Sequence, residues 1–191
     1  MENGTAGKRP AQVDGKFVNL DGTTPDKSNL AVLRWAIVHR VPDEIRQGAT
    51  ALADLFRKNK SWRPPCRHDG TAALDPTTPH LTWIGHSTFL LRLAGQWILT
   101  DPVFAHPKGT LWRHVPPGLA PEQLPTVDFV TLSHDHFDHL DLPSLARLTG
   151  TPEGVAPLHV GRTLPRPATE LDWWQTIERP GLRITMVPAH H

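Results

Sequence analysis

The chain has 191 residues, of which 38% are hydrophobic and 20% charged, enough for one domain with a real core and too apolar to be disordered throughout. Its net charge is +1 with histidine neutral, and its lysines and arginines are scattered. No basic stripe of the kind that grips a phosphate backbone is present, so no nucleic-acid partner is expected.

In chain order, residues 1–28 are polar, carry no apolar secretory core and read as a mobile arm. Residues 29–79 read as a helical extension and linker. Leu30, Leu33 and Ile37 fall on one side of a predicted helix over 29–40, capped by Ser28 or Asn29 and stopped by Pro42. Leu52, Leu55 and Phe56 mark a second helix near 50–58. The first helix, with Trp35 between Arg34 and Arg40, either docks on the core or touches a lipid surface. Cys66, the only cysteine, cannot form an internal disulfide, which fits a reducing, cytoplasmic compartment. No run approaches the roughly 20 apolar residues of a membrane-spanning helix. A soluble protein, or one peripheral to a membrane, is expected.

From residue 80 onward the pattern changes to strands. Residues 81–84, 88–93 and 96–100 read as three, the last two joined at Ala94-Gly95 by a tight turn. Gly85 suits a close backbone approach, and His86 after it either supports the site or is a hydrogen-bonded core histidine. Asp101 ends a buried strand, where an uncompensated carboxylate is expensive, so it needs a partner; with Pro102 it also makes a turn. Residues 106–123 are proline-rich and read as a loop at the mouth of the site, with His106 and His114 as exposed loop histidines.

The segment that organises the chain follows the apolar run Phe129-Val130-Thr131-Leu132: Ser133-His134-Asp135-His136-Phe137-Asp138-His139. Alternate side chains of an extended segment share a face, so His134 and His136 point together, and a turn at Phe137 brings Asp138 and His139 toward the same region. Imidazole and carboxylate without thiolate suit a borderline cation such as zinc. The chain's 12 histidines make a chance pair plausible, but this spacing at the end of an apolar strand points to metal. Asp141 then caps a short helix holding Leu142, Leu145 and Leu148, with Pro143 in its first turn and Gly150 as its stop. Residues 155–160 and 182–187 read as further strands. Between them, Asp172-Trp173-Trp174 reads as aromatic core packing rather than substrate stacking.

His134-Asp135-His136-Phe137-Asp138-His139 resembles the signature of the metallo-β-lactamase superfamily. Trp83-Ile84-Gly85-His86-Ser87-Thr88, Leu99-Thr100-Asp101-Pro102-Val103-Phe104, Val115-Pro116-Pro117-Gly118-Leu119, Glu170-Leu171-Asp172-Trp173-Trp174 and Val187-Pro188-Ala189-His190-His191 resemble, in this order, the branch of N-acylphosphatidylethanolamine-hydrolysing phospholipase D and its bacterial relatives. The resemblance runs from about residue 29 to the last.

It implies an α/β fold, the metallo-β-lactamase α/β/β/α sandwich, with residues 80–191 supplying mainly its N-terminal half. It also implies a zinc-dependent phosphodiesterase acting on a small-molecule or lipid phosphodiester. The implied metal ligands are His134, His136, Asp138, His139 and His191, with Asp138 as the catalytic candidate and Asp101 and His86 supporting from behind. His190 stands where the family has glutamine. The resemblance supplies a full set for one ion, His134, His136 and His191, but only Asp138 and His139 for a second. The remaining ligands belong to a half expected to be missing here, so one zinc is the expectation for this chain and two for a complete relative. The sheet face which that half would cover is expected to pair with a partner or a second copy. Two alternatives stand beside the phosphodiesterase: a lactonase of the same fold, and a catalytically silent metal-binding fragment.

Overall fold

The computed structural model describes residues 12–13, 16–18, 74–105, 113 and 115–189. The predicted helices over 29–40 and 50–58, Cys66, His106, His114, His190 and His191 lie outside the described residues. The chain divides into two compact units. In the smaller, β1 (Gln12–Val13) pairs antiparallel with β2 (Lys16–Phe17), within the segment expected to be a mobile arm.

The larger unit is built on a six-stranded mixed sheet. Its strands are β3 (His80–Gly85), β4 (Thr88–Leu93), β5 (Gln96–Thr100), β6 (Phe129–Thr131), β7 (Glu153–Pro157) and β8 (Ala168–Leu171), side by side in that order. The first three form an antiparallel meander, and from β5 onward neighbours run parallel. The β4–β5 turn places both Ala94 (φ +51°) and Gly95 (φ +76°) in the left-handed region, the geometry whose twist matches a two-residue hairpin. Parallel pairing needs a long crossover, and between β6 and β7 the helix α1 (Leu142–Ala146) lies within it.

Alternation along the strands divides the core in two. Ile84, Leu90, Leu99, Val130 and Ala156 pack on one side with Leu119, Leu148 and Val160, while Leu124 and Leu145 close the edge. Ile98, Phe129, Val155 and Leu171 pack on the other with Leu182, Ile177 and Ile184. These last three come from a second small sheet, the hairpin of β9 (Thr176–Arg179) and β10 (Leu182–Thr185). Trp97, Ile98 and Leu99 are consecutive and all buried because β5 is central and covered on both faces. At the sheet edge, β3 leaves Leu81 61% and Trp83 64% exposed. The architecture is α/β, part of a sandwich with a helix on one face of the main sheet and a second sheet on the other. Among the described residues, no helix is long and apolar enough to cross a membrane.

The three strands predicted over 81–100 form as expected, and Asp141 caps a helix as expected, but that helix ends at Ala146, leaving Leu148 beyond it and Gly150 not its stop. The aromatic pair departs from its reading. Asp172 Oδ1 accepts from Trp173 N (2.7 Å) and Gln175 N donates to Asp172 O (3.0 Å), closing a turn in which Trp174 has φ +69°. That turn throws Trp174 outward, where it is 38% exposed rather than packed in the core. Strands β8 and β9 carry no strand signal in the sequence: each is four residues long, and neither shows a clean apolar alternation.

Candidate metal centre

The histidine-rich segment is held at both ends by backbone geometry. Phe129 and Val130 are buried in β6, and Leu132 N donates to Val155 O (2.9 Å), so the chain leaves the sheet in a fixed direction. Residues 137–139 then turn, with His139 N and Leu140 N both donating to His136 O (2.9 and 2.8 Å). Asp141 Oδ2 accepts from Ser144 N (3.1 Å), starting α1, and Phe104 N donates to Ser144 Oγ (2.8 Å). A strand, a turn and a capped helix therefore set the segment before any metal is considered.

Its side chains converge. The His134 ring centroid lies 4.6 Å from that of His136 and 4.1 Å from that of His139, while His86 and His139 are 5.3 Å apart. Asp135 and Phe137, the intervening residues, are exposed.

Asp101 holds this cluster from below. It follows β5 in a left-handed conformation (φ +37°) and is 6% exposed. Its backbone is tied on both sides: its N–H donates to Thr131 O (2.9 Å), and its carbonyl accepts from Thr88 Oγ1 (2.8 Å). Its carboxylate accepts from Ser133 N at Oδ1 (2.8 Å), and from Ser133 Oγ (2.7 Å) and His139 Nδ1 (2.9 Å) at Oδ2. Three donors offset the cost of removing this carboxylate from water.

His86 enters from the other side. Gly85 (φ +144°) ends β3, and His86 (φ +53°) with Ser87 forms the turn to β4. Trp83 Nε1 donates to His86 O (2.9 Å) and Gly118 N to Ile84 O (2.8 Å). His86 Nε2 reaches Asp138 Oδ2 at 2.9 Å, and His139 Nε2 lies 3.9 Å from the same oxygen. His86 is exposed, which sets aside its reading as a core histidine. Burial alone raises the Asp138 carboxyl, but its own backbone N–H, the charge on His139 and the bond to His86 outweigh it and hold the group below its ordinary value.

The donors of His86, Asp138 and His139 all lie within 4.8 Å of one another, close enough to surround one ion. Two imidazoles and a carboxylate match the preference of a borderline divalent cation, and the Asp101 contact behind His139 is the outer support that orients such a ligand. The residues present thus fit a metal. His134 and His136 adjoin this group, while His191 lies outside the described residues. Sequence spacing gave no reason to set His86 among the donors. Its only local signal was a glycine before a histidine at a strand end.

The family described as beta-lactamase superfamily domain matches residues 96–191. An uncharacterized protein of Mycobacterium tuberculosis is 34% identical over 95% of this chain and 50% of its own length. The N-acyl-phosphatidylethanolamine-hydrolyzing phospholipase D 1 of Caenorhabditis elegans is 35% identical over 58% of this chain and 37% of its own length. A UPF0173 metal-dependent hydrolase of Anaeromyxobacter is 35% identical over 58% of this chain and 42% of its own. The chain spans about half the length, or less, of these curated relatives. With this match, and with the histidine-rich segment leaving the sheet as described, the chain belongs to the metallo-β-lactamase superfamily, in the branch that holds these hydrolases.

Proposed function

We propose that this protein acts in metal-dependent hydrolysis, with zinc as the metal and a phosphodiester, small-molecule or lipid, as the substrate. The observation that carries the reading is the convergence of His86, His134, His136, Asp138 and His139 over one buried carboxylate. The phospholipase D of Caenorhabditis elegans supports the phosphodiester by its name alone.

In this reading His134, His136 and His191 hold one zinc, and Asp138 and His139 offer the donors for a second. Zinc, when bound, would supply Lewis acidity toward oxygen, polarising a phosphoryl group and making the proton of a water easier to remove. Asp138 is the residue that accepts a proton at Oδ2. His86 keeps that oxygen in place through its 2.9 Å contact, and the lowered pKa of Asp138 keeps the carboxylate ionised. Asp101 aims His139 through Nδ1 and leaves Nε2 toward Asp138.

The test is metal content of the purified chain by elemental analysis, with turnover of a chromogenic phosphodiester and of a lactone measured on the same sample. Bound zinc with phosphodiester turnover is the expected result. Turnover of the lactone alone would replace the substrate class, and bound metal without any turnover would reduce the chain to a metal-binding fragment.

A further inference from the structure

We infer that Ser133 is a positioning residue: its hydroxyl sets which ring nitrogen of His134 carries the hydrogen, so that Asp101 orients two imidazoles at once. The significance of that orientation for metal rests on the function proposed above, whereas the orientation itself does not.

Counting hydrogens fixes the arrangement. Ser133 Oγ lies 2.7 Å from Asp101 Oδ2. At that distance two oxygens need a hydrogen between them, and a carboxylate has none to give, so the serine hydroxyl points at Asp101. Its single hydrogen is then spent. Ser133 Oγ also lies 2.9 Å from His134 Nδ1, and it can meet that nitrogen only with a lone pair. His134 must therefore carry its hydrogen on Nδ1. The same rule applied to the 2.9 Å contact between His139 Nδ1 and Asp101 Oδ2 puts the second hydrogen on His139 Nδ1. Both imidazoles, with centroids 4.1 Å apart, then keep Nε2 as the nitrogen able to bind a cation.

The backbone offers a built-in control. Ser133 N donates to Asp101 Oδ1 (2.8 Å), a bond that survives removal of the hydroxyl, so Ser133→Ala leaves the loop anchored; it deletes the relay to His134 and a longer 3.3 Å contact of Ser133 Oγ with His139 Nδ1, while the shorter 2.9 Å bond from His139 Nδ1 to Asp101 Oδ2 remains.

The experiment is long-range nitrogen–proton correlation spectroscopy on the full-length labelled chain. It is stripped with a chelator and held under alkaline conditions that keep imidazole neutral. In the unsubstituted protein His134 and His139 are expected in the Nδ1–H form. In Ser133→Ala, His134 is expected to lose that form while His139 keeps it, and affinity for zinc is expected to fall about 10- to 100-fold by calorimetry. Ser133→Thr is expected to restore both. An unchanged His134 tautomer in Ser133→Ala, or a simultaneous change at His139, would overturn the inference. If the unsubstituted chain shows these tautomers but binds no zinc, the hydrolase reading fails and the role of Ser133 stands.

Discussion

His86 and Asp138 are 52 residues apart in the chain, and Nε2 of one lies 2.9 Å from Oδ2 of the other. This contact joins the turn between the first two strands of the sheet to the histidine-rich loop beyond its fourth. Its removal should therefore be felt at the site and hardly anywhere else. His86→Ala deletes an exposed side chain, so its melting temperature is expected to stay close to that of the unsubstituted protein. Zinc affinity, measured by calorimetry, is expected to fall about 10- to 100-fold. Unchanged affinity would place His86 outside the site.

Asp101 should behave in the opposite way, because it is buried and saturated with donors. Asp101→Ala leaves Ser133 Oγ, Ser133 N and His139 Nδ1 without their acceptor. A loss of about 1–3 kcal/mol in unfolding free energy is expected for such unsatisfied groups, read by chemical denaturation, together with weaker zinc binding. A variant as stable as the original would show that water replaces the carboxylate without cost.

Gly85 has two separate reasons to be glycine. Its φ of +144° belongs to a region closed to other residues, and a Cβ there would come within 2.5 Å of Arg113 Nη1. Arg113 is in turn held, its Nη2 donating to Val103 O (2.8 Å). Gly85→Ala is expected to cost about 1–3 kcal/mol in thermal or denaturant unfolding. Adding Arg113→Ala removes the clash but not the backbone strain, so only part of the loss should return. Full recovery in the double variant would mean that the clash alone matters.

The depressed proton affinity of Asp138 sets a sign for pH. A carboxyl that is more acidic in the folded protein stabilises the fold above its unfolded pKa, and that contribution is lost as pH falls through the folded value. Chelator-stripped protein is therefore expected to lose stability on acidification from about pH 5 to about pH 2, and Asp138→Asn to lose less over the same range. Equal acid sensitivity in the two proteins would assign the effect to other carboxyls.

The legible parts of this protein are those governed by neighbours in sequence. The strands over residues 80–100 show in their apolar alternation, the β4–β5 turn in Ala94-Gly95, and α1 in Asp141 and Pro143, because pleat, turn and cap are each decided within a few residues. The spacing of His134, His136, Asp138 and His139 likewise suffices to bring them to one region once a strand ends before them and a turn lies within them. Trp173-Trp174 misled the reading because size and apolarity predict burial, whereas the Asp172 turn decides where Trp174 points. Tertiary structure alone decided the rest. The β3–β4 turn carries His86 onto Asp138, and the pairing of β5 with β6 sets Asp101 beside Ser133 and His139. Local spacing can say that a carboxylate after a buried strand needs donors. Which donors it receives depends on the order of strands across the sheet, and that order is set by packing between residues far apart in the chain.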